Sequence, residues 1–139
     1  MNEYKWSDLQ IGLKQEFDAI FTSEDASRFA ALSGDTNPLH VDDDYAIAAG
    51  FPGPVLFGML TSALYSRLVG GYLPGKFALL QGIDIDFSSP CHADDRLHVA
   101  GEIVYMNEAY QRFEIKATIR KADKKLVSKA MIRVGLHGG

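Results

Sequence analysis

The sequence predicts an α+β fold in which an antiparallel β-sheet wraps around one long central α-helix, and three observations carry that prediction. Val55 to Val69 is apolar almost all round until its last turn, the pattern of a helix buried on most sides rather than one lying on a surface. Everything after it reads as strand, in rows where apolar and polar residues alternate. One such row, Lys14 to Phe21, also precedes it. A single buried helix between strands packs most simply with a sheet curled over it.

The elements follow in order. Met1 to Gly12 mixes polar and aromatic residues, so irregular structure is expected, anchored to the core by Trp6, Leu9 and Ile11. Phe17, Ala19 and Phe21 alternate with Glu16, Asp18 and Ile20, giving a first strand with one face buried. Thr22 or Ser23 then offers a hydroxyl cap and Glu24 and Asp25 place negative charge in a first turn. Phe29, Ala30 and Leu32 supply the apolar stripe of a short helix that delivers the chain to Gly34. Asp42 to Ala49 reads as another short helix, capped by an aspartate and ended by Gly50, after which Phe51-Pro52-Gly53-Pro54 forces a turn. The central helix comes next, and Gly70-Gly71 is expected to end it through a left-handed cap. At about 22 Å it is shorter than the roughly 30 Å hydrocarbon core, and Arg67 lies within it, so no membrane span is expected.

Downstream, Ile83, Ile85 and Phe87 alternate with Gly82, Asp84 and Asp86, and Leu97, Val99, Ile103 and Tyr105 form a second inward row. Phe113, Ile115, Ala117 and Ile119 form a third, and the last strand, Lys125 to Leu136, turns Leu126, Ala130, Ile132 and Val134 inward. Asn107 to Ala109 and Ala122 to Lys124 are expected as hairpin connections, and His137-Gly138-Gly139 as a fraying end. No repeat, low-complexity tract or linker divides residues 1–139, so a single domain is expected.

Composition narrows the function. The chain has 139 residues, 47% apolar and 23% charged, and a net charge of −4, with no basic cluster interleaved with aromatics, so nucleic acid is not an expected partner. The lone Cys91 cannot form an internal disulfide, and it reads as a buried thiol because His92 is only a sequence neighbour. His92, His98 and His137 lack any zinc-ligand spacing, so no metal site is expected. Met1 to Lys14 holds no apolar run of the signal-peptide kind, which makes the cytoplasm the expected compartment.

Acid–base chemistry concentrates in Ser33-Gly34-Asp35-Thr36-Asn37-Pro38-Leu39-His40. Neither helix nor strand brings Asp35 and His40, five residues apart, to one face, so a loop has to do it. Pro38 and Gly34 supply the backbone for such a loop, and Asn37 is expected to shape it by bonding to its own backbone. The same residues also suit an ordinary solvated turn.

The pattern Gly-Asp-x-Asn-Pro-x-His, followed by Asp42, Ala46, Phe51-Pro52-Gly53-Pro54 and Val55-Leu56-Phe57-Gly58-Met59-Leu60, resembles the MaoC-like, (R)-specific enoyl-CoA hydratases, the hydratase 2 family. The resemblance runs on through Leu73-Pro74-Gly75-Lys76 to the C-terminal strands. It implies the hot-dog fold, a homodimer, and reversible hydration of a trans-2-enoyl thioester to an (R)-3-hydroxyacyl thioester without a metal or redox cofactor. The acyl carrier is CoA or acyl carrier protein; a hot-dog thioesterase and a noncatalytic acyl-binding module are the competing classes. Asp35 and His40 are the implied catalytic pair, with the base not assigned between them. Gly58 N–H, at the start of the central helix, is the candidate oxyanion donor, with close helix packing as its other reading. Ser62 aligns with a family hydroxyl position and is a candidate to bond Asp35 or substrate, or else the carbonyl four residues back. Arg67 and Lys76 are candidate phosphate contacts or plain surface residues. Many relatives carry histidine where this chain has Phe57, which removes a donor and enlarges an apolar wall.

Overall fold

The computed structural model describes residues 1–138. In chain order they form β1 (Lys14–Ile20), α1 (Ser23–Ser33), α2 (Pro38–Val41), α3 (Asp43–Ala48), α4 (Gly58–Arg67), β2 (Ala78–Phe87), β3 (Arg96–Asn107), β4 (Arg112–Lys121) and β5 (Leu126–Leu136). The strands make one five-stranded antiparallel sheet in the order β1-β3-β4-β5-β2. Its inner face and α4 share the core, as the alternating rows require. β3, β4 and β5 contribute Leu97, Val99, Ile103, Phe113, Ile115, Ile119, Ile132 and Val134, against Leu60, Leu64 and Leu68 from the helical segment. One buried polar pair ties the two layers: Tyr65 Oη and Ser128 Oγ lie 2.7 Å apart, and burial pushes the Tyr65 phenol up to about 12.

Capping fixes α1. Thr22 Oγ1 accepts the Asp25 N–H, Asp25 Oδ2 accepts the Thr22 N–H, and Gly34 closes the helix in the left-handed region at φ 76°. Its predicted stripe is narrower than expected, since Ala30 is buried while Leu32 is exposed. At the N-terminus Leu9 is buried and Trp6 packs toward Phe113, but Ile11 faces solvent.

The central helix differs from expectation at both ends. Val55–Phe57 is extended and α4 starts at Gly58. At its other end the chain passes into a π-helical turn, Leu68–Tyr72, that contains Gly70 and Gly71; the Leu73 N–H closes it on Leu68 O at 2.8 Å. Neither glycine takes a positive φ, because Leu68, Val69 and Leu73 on this turn are all buried and hold the coil against the core. Met59, Ala63, Ser66 and Arg67 leave one face of the helix exposed. No helix among the described residues is long and apolar enough to cross a membrane.

Two strand residues expected inward point outward. A bulge between Ile103 and Tyr105 shifts the phase of β3, so Tyr105 is exposed. Phe87, on the last residue of β2, lies beyond the core and is 54% exposed. At the C-terminus the His137 N–H still donates to Phe77 O, at 3.0 Å; Gly139, also expected to fray, lies outside the described residues.

β1 and β3 are joined across their outer face by His98, whose Nδ1 lies 2.7 Å from Asp18 Oδ1 and whose Nε2 lies 3.4 Å from Glu16 Oε2. The hydrogen bond to Asp18 raises the His98 pKa, and the same bond holds Asp18 below its ordinary value. The protonated imidazole is therefore favoured in the folded state. Its contribution is complete below the unfolded histidine value of about 6.5 and is lost as pH rises through the higher folded value. His98→Gln is expected to lower Tm at about pH 5 and to have little effect at about pH 9. Equal losses at both would rule out the ion pair as the cause.

Candidate active site

The Phe51–Pro54 turn folds the chain back along α2, and two backbone bonds fix the return. The Val55 N–H donates to Leu39 O at 3.0 Å and the Leu56 N–H to Cys91 O at 2.9 Å. Here α2 differs from the expected loop, since Pro38 at the first helical position and Asn37 Oδ1, accepting the Leu39 N–H at 3.0 Å, start one helical turn. His40 sits on that turn with Nδ1 2.6 Å from Val55 O. A carbonyl oxygen only accepts, so Nδ1 carries the proton, and in the neutral ring Nε2 keeps its lone pair. No hydrogen bond to Nε2 forms among the described residues. The imidazole lies face to face with Phe57, centroids 4.3 Å apart and planes 28° from parallel.

His40 borders two cavities. One, of about 410 Å³, is walled by Val55, Gly58, Thr61, Phe87, Cys91 and Val127, and no acidic or basic side chain other than His40 lines it. The other, of about 520 Å³, is walled by Ala26, the Pro52–Leu56 segment and the His92–Asp95 segment, with carboxylates from Asp43, Asp94 and Asp95. The first suits an acyl chain; the second, with its acidic wall, disfavours phosphate.

The other candidates fall in different places. Asp35 lines neither cavity: it is exposed, and its Oδ1 accepts the Asn37 N–H at 3.1 Å, leaving Oδ2 without a protein partner among the described residues. Of the pair expected to converge on one pocket, His40 borders both of these cavities and Asp35 neither, its Oδ1 being engaged by its own loop. Asn37 caps α2, as expected of a loop-shaping residue. Ser62 does not bond Asp35; its Oγ donates to Gly58 O at 2.7 Å, the carbonyl four residues back. Gly58 lies on the cavity wall at the first turn of α4, where its N–H has no partner inside the helix. Its smallness also serves packing, since Phe87 ring carbons stand 2.9 and 3.0 Å from where a Cβ would be.

Thr61 escaped the sequence reading. It is buried, lines the uncharged cavity, and donates Oγ1 to Gly58 O at 2.9 Å while keeping acceptor lone pairs. Its only signal was a hydroxyl on the first turn of an apolar helix. Cys91 lines the same cavity, but burial, reinforced by Asp95, pushes its thiol up to about 11, so it is no nucleophile at neutral pH. Arg67 covers the Phe17 ring at 4.5 Å and Lys76 pairs with Glu3 at 3.2 Å, surface roles for both. Gly58→Ala is expected to push the Phe87 ring into the cavity. It should cut thioester turnover by about tenfold or more while Tm falls only a few degrees, because the added methyl meets the end of a side chain and no backbone atom.

A family model described as MaoC like domain matches residues 8–125. The chain is 35% identical over 100 residues to an (R)-specific enoyl-CoA hydratase of Aeromonas caviae, covering 72% of this chain and 75% of that protein. It is 30% identical over 108 residues to a mitochondrial 3-hydroxyacyl-[acyl-carrier-protein] dehydratase of Arabidopsis thaliana, covering 78% of this chain and 64% of that one. Its fold superposes on the solved (R)-hydratase of A. caviae, described as involved in PHA biosynthesis, with a TM-score of 0.89 and 30% identity, over 93% of this chain and 98% of that one.

Proposed function

Since the chain belongs to the MaoC-like domain family, with the hot-dog fold, we propose that it is a hydro-lyase, an (R)-specific enoyl-CoA hydratase that reversibly adds water to trans-2-enoyl thioesters. The observation that carries this reading is an imidazole of fixed tautomer on the wall of an uncharged cavity that also reaches the first turn of a buried helix. The acyl group occupies that cavity, and the thioester oxygen lies at the Gly58 N–H, where the positive end of the helix dipole favours the enolate-like charge. His40 Nε2 takes a proton from water as the water oxygen bonds to the β carbon. The imidazolium then returns a proton to the α carbon, so hydroxide and proton are both added and the protein ends unchanged. Asp35 lines neither cavity in this structure, so for it to hold the attacking water its free Oδ2 has to turn toward His40 Nε2 when substrate binds. This assigns His40 as the base, a choice the sequence left open and the Val55 bond supports.

A homodimer is the proposed working unit. β2 is an outer strand with Leu79, Leu80 and Phe87 half exposed, an edge that a second copy would cover, and Asp35 is exposed in the single chain. The Arabidopsis relative favours acyl carrier protein as the alternative carrier. Matched crotonyl-CoA and crotonyl carrier protein substrates, with chiral analysis of the product, test both points. Faster turnover of the CoA ester to (R)-3-hydroxybutyryl-CoA is expected. Release of free thiol without hydration would instead indicate a thioesterase, although Gly58–Arg67 carries no Asp or Glu to serve one. No turnover of either ester would leave an acyl-binding module.

A further inference from the structure

We propose that Phe57 is a positioning residue for His40, setting the plane of the imidazole relative to the first turn of α4; this rests on the hydratase reading above. The Nδ1–Val55 bond fixes the tautomer and one point of the ring, but a single hydrogen bond leaves the ring free to tilt about it. The second constraint is the face of Phe57, 4.3 Å away and 28° from parallel. Phe57 is itself closely packed: it is 2% exposed, and Phe29 packs on it at 4.9 Å with planes 57° apart. It also occupies the N-cap of α4, directly before Gly58, so one buried residue links the base to the proposed oxyanion donor.

The choice of residue is informative in itself. An N-cap ordinarily bears a side-chain acceptor for the first free N–H groups, and phenylalanine has none. α4 accordingly lacks a side-chain cap bond, which leaves those donors for a ligand, while the ring serves His40. Phe57 need not touch substrate for this. A ring tilt that moves Nε2 by about an ångström is worth up to roughly 100-fold in rate.

The test measures kcat and KM for crotonyl-CoA in the wild type, His40→Ala, Phe57→Leu, Phe57→Met and Phe57→Tyr, with each fold checked by circular dichroism. The non-aromatic variants should lose about 10- to 100-fold in kcat with KM within about threefold, and Phe57→Tyr should keep most of kcat. Turnover that His40→Ala abolishes and a folded Phe57→Leu or Phe57→Met retains would overturn the positioning role and leave the hydratase reading intact. No turnover by the wild type would overturn both. The stack is also read without any variant: His40 ring protons in the wild type should resonate upfield and show NOEs to the Phe57 ring, and their absence would refute the proposal even if every variant misfolds.

Discussion

His40→Asn is expected to lower kcat for enoyl-thioester hydration by about a thousandfold, within the range that a positioned general base supplies, with KM changed only a few-fold. Asparagine places an amide N–H near the position of Nδ1, so the bond to Val55 O can persist. What disappears is the lone pair on Nε2. Because the backbone bonds of Val55 and Leu56 hold the return segment independently of the side chain, the fold should survive; losing the Phe57 stack should cost about 1 kcal/mol. Steady-state kinetics beside a thermal melt separates the two effects. A kcat within tenfold of wild type would remove His40 from the chemistry.

Asp35→Asn is the second large effect, an expected loss of about 100-fold or more in kcat at unchanged Tm. The amide oxygen can still accept the Asn37 N–H, so the loop keeps its turn, and what is lost is the charge and the second acceptor oxygen. This variant matters because the chain alone leaves Asp35 exposed, off both cavities. Retained kcat would reduce Asp35 to a loop-shaping residue; a Tm loss matching the kcat loss would make the effect structural.

What the sequence disclosed and what it concealed divide along a physical line. Local signals held. The Thr22–Asp25 cap, Gly34 and the Asp42 cap bound α1 and α3 where their chemistry requires, and strict alternation places Phe113, Ile115 and Ile119 inward. Features set by distant contacts did not show. Val55-Leu56-Phe57 is as apolar as a helix turn, and only bonds to Leu39 and Cys91 make it extended. The bulge that turns Tyr105 outward depends on pairing with β4, and the π-helical turn at Gly70-Gly71 on burial of its neighbours. At the site, the motif named His40, but four residues of α2 are too few for a periodic signature, and neither the Val55 bond nor the Phe57 stack has any local trace. Whether Ser62 reached for Asp35 or for its own helix depended on a rotamer, and the structure has it on Gly58 O.

The central claim is that His40 Nε2 meets a thioester lying in the uncharged cavity at the start of α4. A crystal structure of the Asp35→Asn protein with bound crotonyl-CoA tests it most directly. The β carbon is expected within about 4 Å of Nε2, or joined to it through one water, and the thioester oxygen within about 3.2 Å of the Gly58 N–H. An acyl chain lodged instead between Asp43 and the His92–Asp95 segment, with Nε2 facing no substrate atom, would contradict it.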